Sequence, residues 1–120
     1  MKTVTFNLNE RQWQFLANML GNDCRNIFCV ILRHFLGHSK EKEVKAVKYA
    51  NYMGDMTISV IEALGQSKPD DTLQGFDIVL SEKQYYYLMN LAFIHTEISK
   101  NHKDLWLSII SILKKANHAE

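Results

Sequence analysis

Residues 8–19 read LNERQWQFLANM, and residues 80–91 read LSEKQYYYLMNL. The two segments align without a gap, and several side chains return unchanged, namely Leu8, Glu10, Gln12, Leu16 and Asn18 as Leu80, Glu82, Gln84, Leu88 and Asn90. Other aligned pairs exchange similar side chains, such as Trp13 and Tyr85. This self-similarity predicts an internal repeat.

The residues before each copy alternate between apolar and polar. Apolar side chains occupy every second position, at Val4, Phe6 and Leu8 and again at Phe76, Ile78 and Leu80. A period of two predicts a short strand with one buried face. Asn9 and Ser81 follow at the place of a helix N-cap, and each is followed by an acidic residue. Each copy therefore predicts a strand, a cap and a helix.

A second helix is expected after the first in both copies. In copy one, Gly21-Asn22-Asp23 predicts a stop before an apolar helix from Ile27 to Leu36 that ends at Gly37. In copy two, the first helix is expected to run to about Ser99, and a second helix covers Leu105 to Leu113.

The segment between the copies predicts more helix. Ser39 is a suitable cap for a helix through Lys48, in which Glu41 and Lys45 form a favourable pair four residues apart. Gly54-Asp55 predicts a break before a stretch that closes at Gly65, and a polar loop follows to Gly75.

These patterns predict one domain over residues 1–120, of the α+β class: mainly α, with a short two-stranded antiparallel ribbon. Its expected parts are pseudo-repeat one at 3–37, a helical insert and loop at 38–75, and pseudo-repeat two at 76–117.

Composition limits the classes of function. The net charge is +1, with 14 basic and 13 acidic residues, so a surface devoted to phosphate binding is not expected. The first ten residues lack the apolar core of a secretory signal. The longest apolar run, Ile27 to Leu32, is too short to span a membrane. We expect a cytoplasmic protein with no membrane association.

The sequence contains few candidate residues for a metal site or a catalytic site. Cys24 and Cys29 would point about 140° apart on one helix, which favours two reduced thiols over a disulfide. His34 and His38 have a spacing that suits a metal, but Cys24 and His38 would lie about 21 Å apart along the helix, and no third ligand is near. His95 and Glu97 point to different sides of their helix. No metal, cofactor or enzymatic activity is predicted.

The order of strand, cap, helix, turn and helix resembles the ribbon-helix-helix family of DNA-binding proteins. The residues that carry the resemblance are Thr3 to Glu10, Leu16 and Leu20, the helix from Ile27 to Leu36, and a second unit from Phe76 to Leu113. Two units in one chain would mimic the family's usual dimer. The resemblance implies that their strands pair as an antiparallel ribbon.

The resemblance also implies that outward strand residues enter the major groove of DNA. In copy one these are Thr3, Thr5 and Asn7, whose side chains can hydrogen-bond base edges. In copy two, Asp77 has the wrong charge for a phosphate-rich groove and Val79 offers no hydrogen bond. DNA binding through Thr3, Thr5 and Asn7 is therefore the alternative function.

Three consecutive tyrosines fan over roughly 200° of a helix, which is wider than a one-sided apolar stripe. Tyr85 and Tyr87 align with aromatic residues of copy one and are predicted to lie in the core. Tyr86 aligns with Gln14, and two other large residues on the same side of the helix, Met89 and Phe93, align with Ala17 and Gly21.

Two interpretations of this stripe are open. The inserted helices from Lys40 to Leu64 can dock on it through Val47, Tyr49, Tyr52 or Met56. Alternatively, the stripe is an exposed protein-binding surface, since such side chains are enriched at interface centres. The residues of that surface are Tyr86, Met89, Phe93, Tyr49 and Tyr52.

The favoured prediction is a small non-catalytic protein that acts by macromolecular contact, as a regulator or inhibitor of a partner protein. A DNA-binding transcriptional regulator is the alternative, and the sequence leaves a homodimer open.

Overall fold

The computed structural model of the chain describes residues 2–35, 39–70 and 75–119, with the side chains of all of these except residues 24, 25, 27–35, 68–70 and 119. The order of its elements is β1 (Thr3–Asn9), α1 (Glu10–Phe35), α2 (Lys40–Gly65), β2 (Lys68–Asp70), β3 (Gly75–Ser81), α3 (Glu82–Ile98), α4 (Lys103–Lys114) and β4 (Asn117–Ala119). The described residues are mainly helical and include a small antiparallel sheet, as the sequence predicts.

The centre of the sheet is the antiparallel pair of β1 and β3, in which Phe6 lies opposite Ile78. The prediction of a two-stranded ribbon is wrong. In the described part of the chain the sheet has the order β2-β3-β1-β4, so a short strand flanks the central pair on each side. Both added strands have three residues, too few for alternation to be visible in the sequence. Pro69 suits β2 because proline is tolerated in an edge strand.

Both predicted N-caps are confirmed. The backbone amide of Gln12 donates to Asn9 Oδ1 at 2.8 Å, and the Asn9 amide donates to Gln12 Oε1 at 3.0 Å. Ser81 and Gln84 make the same reciprocal pair, at 3.2 Å and 2.8 Å. Each pair is a capping box, which satisfies two backbone donors at the start of a helix.

Two predicted helix breaks are wrong. Gly21 lies inside α1 and Gly54 lies inside α2, so each helix continues for 26 residues. A glycine inside a helix costs only about 1 kcal/mol relative to alanine, which the packing of α1 against α2 outweighs. The segment from Ile27 is therefore the end of α1 rather than a separate helix, and Leu36 and Gly37 lie outside the described residues. The strand-helix-helix repeat is not confirmed in the form given above.

Other predicted boundaries agree with the structure. Ser39 caps α2, and the exposed pair of Lys45 and Glu41 lies at 3.5 Å. The last residue of α2 is Gly65, and α3 ends at Ile98, next to the predicted end at about Ser99.

One face of the sheet packs against the helices. The buried side chains come from alternate strand positions and from all four helices described here, and include Val4, Phe6, Leu8, Ile78, Leu80, Leu16, Val60, Leu64, Leu88, Trp106, Ile109 and Leu113. The opposite face of β1 and β3 carries the remaining strand side chains. Within the described residues, no helix combines the length and the hydrophobicity that a membrane span requires.

Gly75 permits the close approach of β3 to β1. A Cβ atom at this position would lie 2.8 Å from Asn7 Oδ1 and closer still to the backbone oxygen of Leu8. Because a backbone oxygen inside a sheet cannot move aside, we expect Gly75→Ala to lower the free energy of unfolding by about 1–3 kcal/mol, measured by urea denaturation.

The matched control is Gly54→Ala. A Cβ at Gly54 would meet no atom within 4 Å, so alanine should raise the free energy of unfolding by up to about 1 kcal/mol. Equal effects of the two substitutions would contradict the role given to Gly75.

Candidate functional site

The outer face of α3 carries four exposed apolar side chains, interspersed with the exposed polar residues Lys83, Asn90 and Glu97. Tyr86 is 55% exposed, Phe93 44%, Ile94 52% and Ile98 67%. Met89, the other predicted member of the stripe, is half-buried and packs against the core. Two of the three predicted stripe residues are therefore open to solvent.

Tyr49 and Tyr52 of α2 are also exposed, by 55% and 48%. The helix that carries them docks beside Tyr86 rather than on it. The Tyr87 hydroxyl lies 2.6 Å from Thr57 Oγ1 and donates to the Met53 carbonyl at 3.1 Å. These bonds bring α2 against the Tyr87 side of α3, and Tyr86 stays uncovered.

A groove of about 420 Å³ runs between α2 and α3. Its apolar lining includes Tyr49 and Met53 from α2, with Leu91, Phe93 and Ile94 from α3. The structure thus brings two predicted binding residues, Tyr49 and Phe93, to one groove, although they are far apart in sequence. We call the exposed residues Tyr49, Tyr52, Tyr86, Phe93 and Ile94 the α2–α3 surface.

Two lysines lie over aromatic rings of the α2–α3 surface. Lys83 Nζ is 5.5 Å from the ring centroid of Tyr52, and Lys114 Nζ is 5.6 Å from that of Phe93. At such distances the ammonium group is attracted to the face of the ring. The α2–α3 surface is therefore bordered by positive charge at Tyr52 and at Phe93, and Phe93 also lines the groove.

The equivalent face of α1 is polar. Both α1 and α3 start directly after a capping box, so residues can be matched by counting from the cap. Tyr86, Asn90, Ile94 and Ile98 of α3 match Gln14, Asn18, Asn22 and Asn26 of α1, all of which are exposed. The same kind of helix in the same protein thus tolerates polar residues at these positions. Packing of such a helix therefore does not require apolar side chains at the positions of Tyr86, Ile94 and Ile98.

The residues predicted to contact DNA share the outward face of the sheet. Thr3, Thr5 and Asn7 are half-buried there, beside the exposed Asp77 and Val79. Asn7 Nδ2 donates to Asp77 Oδ1 at 3.0 Å. The amide that would contact a base is therefore already bound to a carboxylate.

Sequence inspection missed the pairing of Asp23 with His95. His95 Nε2 lies 2.7 Å from Asp23 Oδ2, and each side chain is only 13% exposed. The His95 ring also stacks on the buried Trp106, with 4.7 Å between centroids and 3° between planes. The pair joins α1 to α3, and the stacking joins both to α4. Extending the alignment of the two copies would have indicated it, because Asp23 and His95 occupy matching positions.

The described residues hold no group of three or more His, Cys, Asp or Glu side chains that could bind a metal ion. The side chains of Cys24, Cys29 and His34, and all of His38, lie outside the described part of the structure.

Tyr85 and Tyr86 are neighbours in different environments. Tyr85 is buried, its hydroxyl donates to the Leu113 carbonyl at 2.6 Å, and its ring meets the Tyr86 ring edge-on at 5.3 Å. Burial raises the pKa of Tyr85 above its usual value, and the neighbouring Tyr86 raises it further.

The raised pKa of Tyr85 predicts that the free energy of unfolding decreases at alkaline pH. The folded state holds the Tyr85 proton more strongly than the unfolded chain does. The stabilisation is complete below the unfolded pKa of about 10 and is lost as pH rises through the folded pKa. We expect urea unfolding between about pH 8 and 11 to show a shallower decline for Tyr85→Phe than for the wild type. Tyr86→Gln serves as the control and should keep most of the decline.

Comparison of the chain with models of protein families, with curated proteins and with solved structures found no match. Its function is therefore inferred from its own surfaces, above all from the difference between α1 and α3.

Proposed function

We propose that this protein is non-catalytic and binds a partner protein through the α2–α3 surface. The observation that carries the proposal is the contrast between the exposed faces of α1 and α3. Exposed apolar side chains that packing does not require are characteristic of interaction sites. Tyrosine and phenylalanine are, in addition, enriched at interface centres. Met89 lies beneath this surface and contributes mainly to the core.

We also propose that the chain consists of two strand-helix-helix-strand units, β1-α1-α2-β2 and β3-α3-α4-β4. Matching hydrogen bonds support this division. Gln12 Nε2 donates to Ser108 Oγ of α4, and Gln84 Nε2 donates to Ser59 Oγ of α2. The sheet pairings match as well, because β4 flanks β1 as β2 flanks β3.

The helix ends match in the same way. Trp13 Nε1 donates to the Leu64 carbonyl at 3.0 Å, near the end of α2. Tyr85, the residue aligned with Trp13, donates its hydroxyl to Leu113 near the end of α4. The final part of α2 thus corresponds to α4, so the second helix of unit one is not the segment from Ile27 to Leu36.

This division explains how the α2–α3 surface arises. The helices of unit one have 26 residues each, whereas those of unit two have 17 and 12. Tyr49 and Tyr52 lie in the part of α2 that has no counterpart in α4. The longer α2 of unit one therefore places Tyr49 and Tyr52 beside the exposed apolar side chains of α3 in unit two.

The proposal predicts that giving α3 the side chains of α1 at matching positions strongly weakens partner binding. In the double variant Tyr86→Gln and Ile94→Asn, each position of α3 receives the residue found at the matching position of α1. We expect the tagged double variant to capture at least about tenfold less of a partner protein than the tagged wild type captures from the same host lysate. The free energy of unfolding should change by less than about 1 kcal/mol, since surface substitutions are mild.

The matched control is Gln14→Ala on the exposed face of α1, which should capture the partner like the wild type. Unchanged capture by the double variant would contradict the assignment of the surface. A large loss of stability would instead show that the buried parts of Tyr86 and Ile94 are needed for packing.

DNA binding is the second candidate, favoured by the shared outward face of Thr3, Thr5 and Asn7. The four-stranded width of the described sheet does not favour it, because the major groove admits a two-stranded ribbon. The bond between Asn7 and Asp77 does not favour it either.

This candidate predicts an affinity for duplex DNA that falls steeply as salt increases, measured by fluorescence anisotropy. Replacing Thr3, Thr5 and Asn7 with alanine should then weaken binding by about 1–3 kcal/mol per specific base contact. Binding that is insensitive to all three replacements would contradict it.

A further inference from the structure

We propose that the groove between α2 and α3 receives an amphipathic helix of the partner protein, with acidic residues beside its apolar stripe. This inference rests on the proposed function and specifies the partner of the same surface.

The groove selects for an apolar occupant. Met53, Leu91 and Ile94 contribute aliphatic side chains to its lining. One of its polar groups, the Tyr87 hydroxyl, is already bonded to Thr57 and to the Met53 carbonyl, and the exposed Asn90 side chain also lines the groove. An occupant therefore gains mainly by burying apolar surface, and Asn90 offers a polar contact at the same groove.

The walls select for a helix. Both walls are α-helices, whose central backbone groups are bonded within each helix. An extended peptide would find no free strand edge here, and its own backbone groups would lose water without gaining partners. A helix satisfies its backbone internally and presents apolar residues at intervals of three and four, which suits a groove between two helices.

The two lysines that border the α2–α3 surface favour an occupant with negative charge. Lys83 and Lys114 lie over the rings of Tyr52 and Phe93, and within the described residues neither ammonium group forms an ion pair. Carboxylates beside the apolar stripe of a bound helix could reach these two lysines. Four acidic residues are also exposed on these helices, namely Glu41, Asp55, Glu62 and Glu97. Within the described residues, none of them forms an ion pair with Lys83 or Lys114.

A displayed library of amphipathic helices tests this inference with the full-length protein. The library keeps one apolar stripe constant and randomises the flanking positions among Glu, Gln and Lys. We expect selection by the wild type to enrich Glu. Selection by the double variant Lys83→Glu and Lys114→Glu should favour Lys, and the Glu-rich helices should bind it roughly five- to tenfold more weakly.

The matched control reverses charge elsewhere. Arg11 occupies the position in α1 that Lys83 occupies in α3, and Lys103 lies at the opposite end of α4 from Lys114. The double variant Arg11→Glu and Lys103→Glu should therefore select Glu-rich helices like the wild type. The variant Ile94→Asn should bind the selected helices more weakly than the wild type does, because it places a polar amide in the groove.

Three outcomes would overturn the inference. The first is that the wild type enriches Gln or Lys, and the second is that no selected helix depends on Ile94 for binding. The third is that the protein binds single-stranded oligo(dT) and loses this binding on lysine reversal, because the lysines would then serve a nucleic acid. If the Tyr86 and Ile94 exchange still removes a captured protein partner, protein binding stands and only the acidic helix is excluded. If that capture is unaffected, the proposed function itself fails.

Discussion

The antiparallel pairing of β1 with β3 is the constraint on which the rest of the structure depends. Phe6 lies opposite Ile78 at its centre, so the two strands end at opposite ends of the pair. Each strand leads directly into a capping box, and α1 and α3 therefore begin at opposite ends of the sheet. A slip of one residue would turn Val4, Phe6 and Leu8 toward solvent, so the buried face fixes the register. The close approach at Gly75 allows that register to continue to the end of β1.

The helices are then held at several points along their length. Hydrogen bonds from Trp13 and Tyr85 fix the ends of α2 and α4 against α1 and α3. Farther along, the bond between Asp23 and His95 ties α1 to α3. All of these contacts use the inner sides of the helices. The outer side of α3 is thus positioned mainly by contacts on the inner side, and a surface already fixed in place loses little conformational entropy when it binds.

The sequence predicted those features that depend on a few neighbouring residues. Strand alternation and both caps are local patterns, and they were found correctly at Asn9 and Ser81. The breaks at Gly21 and Gly54 were wrong because contacts between helices, invisible in the local sequence, outweigh the weak helix propensity of glycine. Short edge strands exist only because a longer strand is there to pair with. The groove depends in the same way on how α2 docks, which no single segment encodes. The alignment of Tyr86 with Gln14 singles out this ring but leaves open whether α2 covers it.

The two cap-led helices allow the requirements of folding to be separated from those of binding. Side chains such as Leu16 and Leu88 are buried in both helices and serve the core. On the outer face, α1 has Asn22 where α3 has Ile94, although both positions are exposed. Folding gains nothing from the part of the Ile94 side chain that stays exposed, since apolar surface stabilises only when it is removed from solvent. The free-energy gain at this position is realised when another molecule covers it. In the complex proposed above, the lysines that lie over the neighbouring rings favour a partner whose contacting surface is acidic.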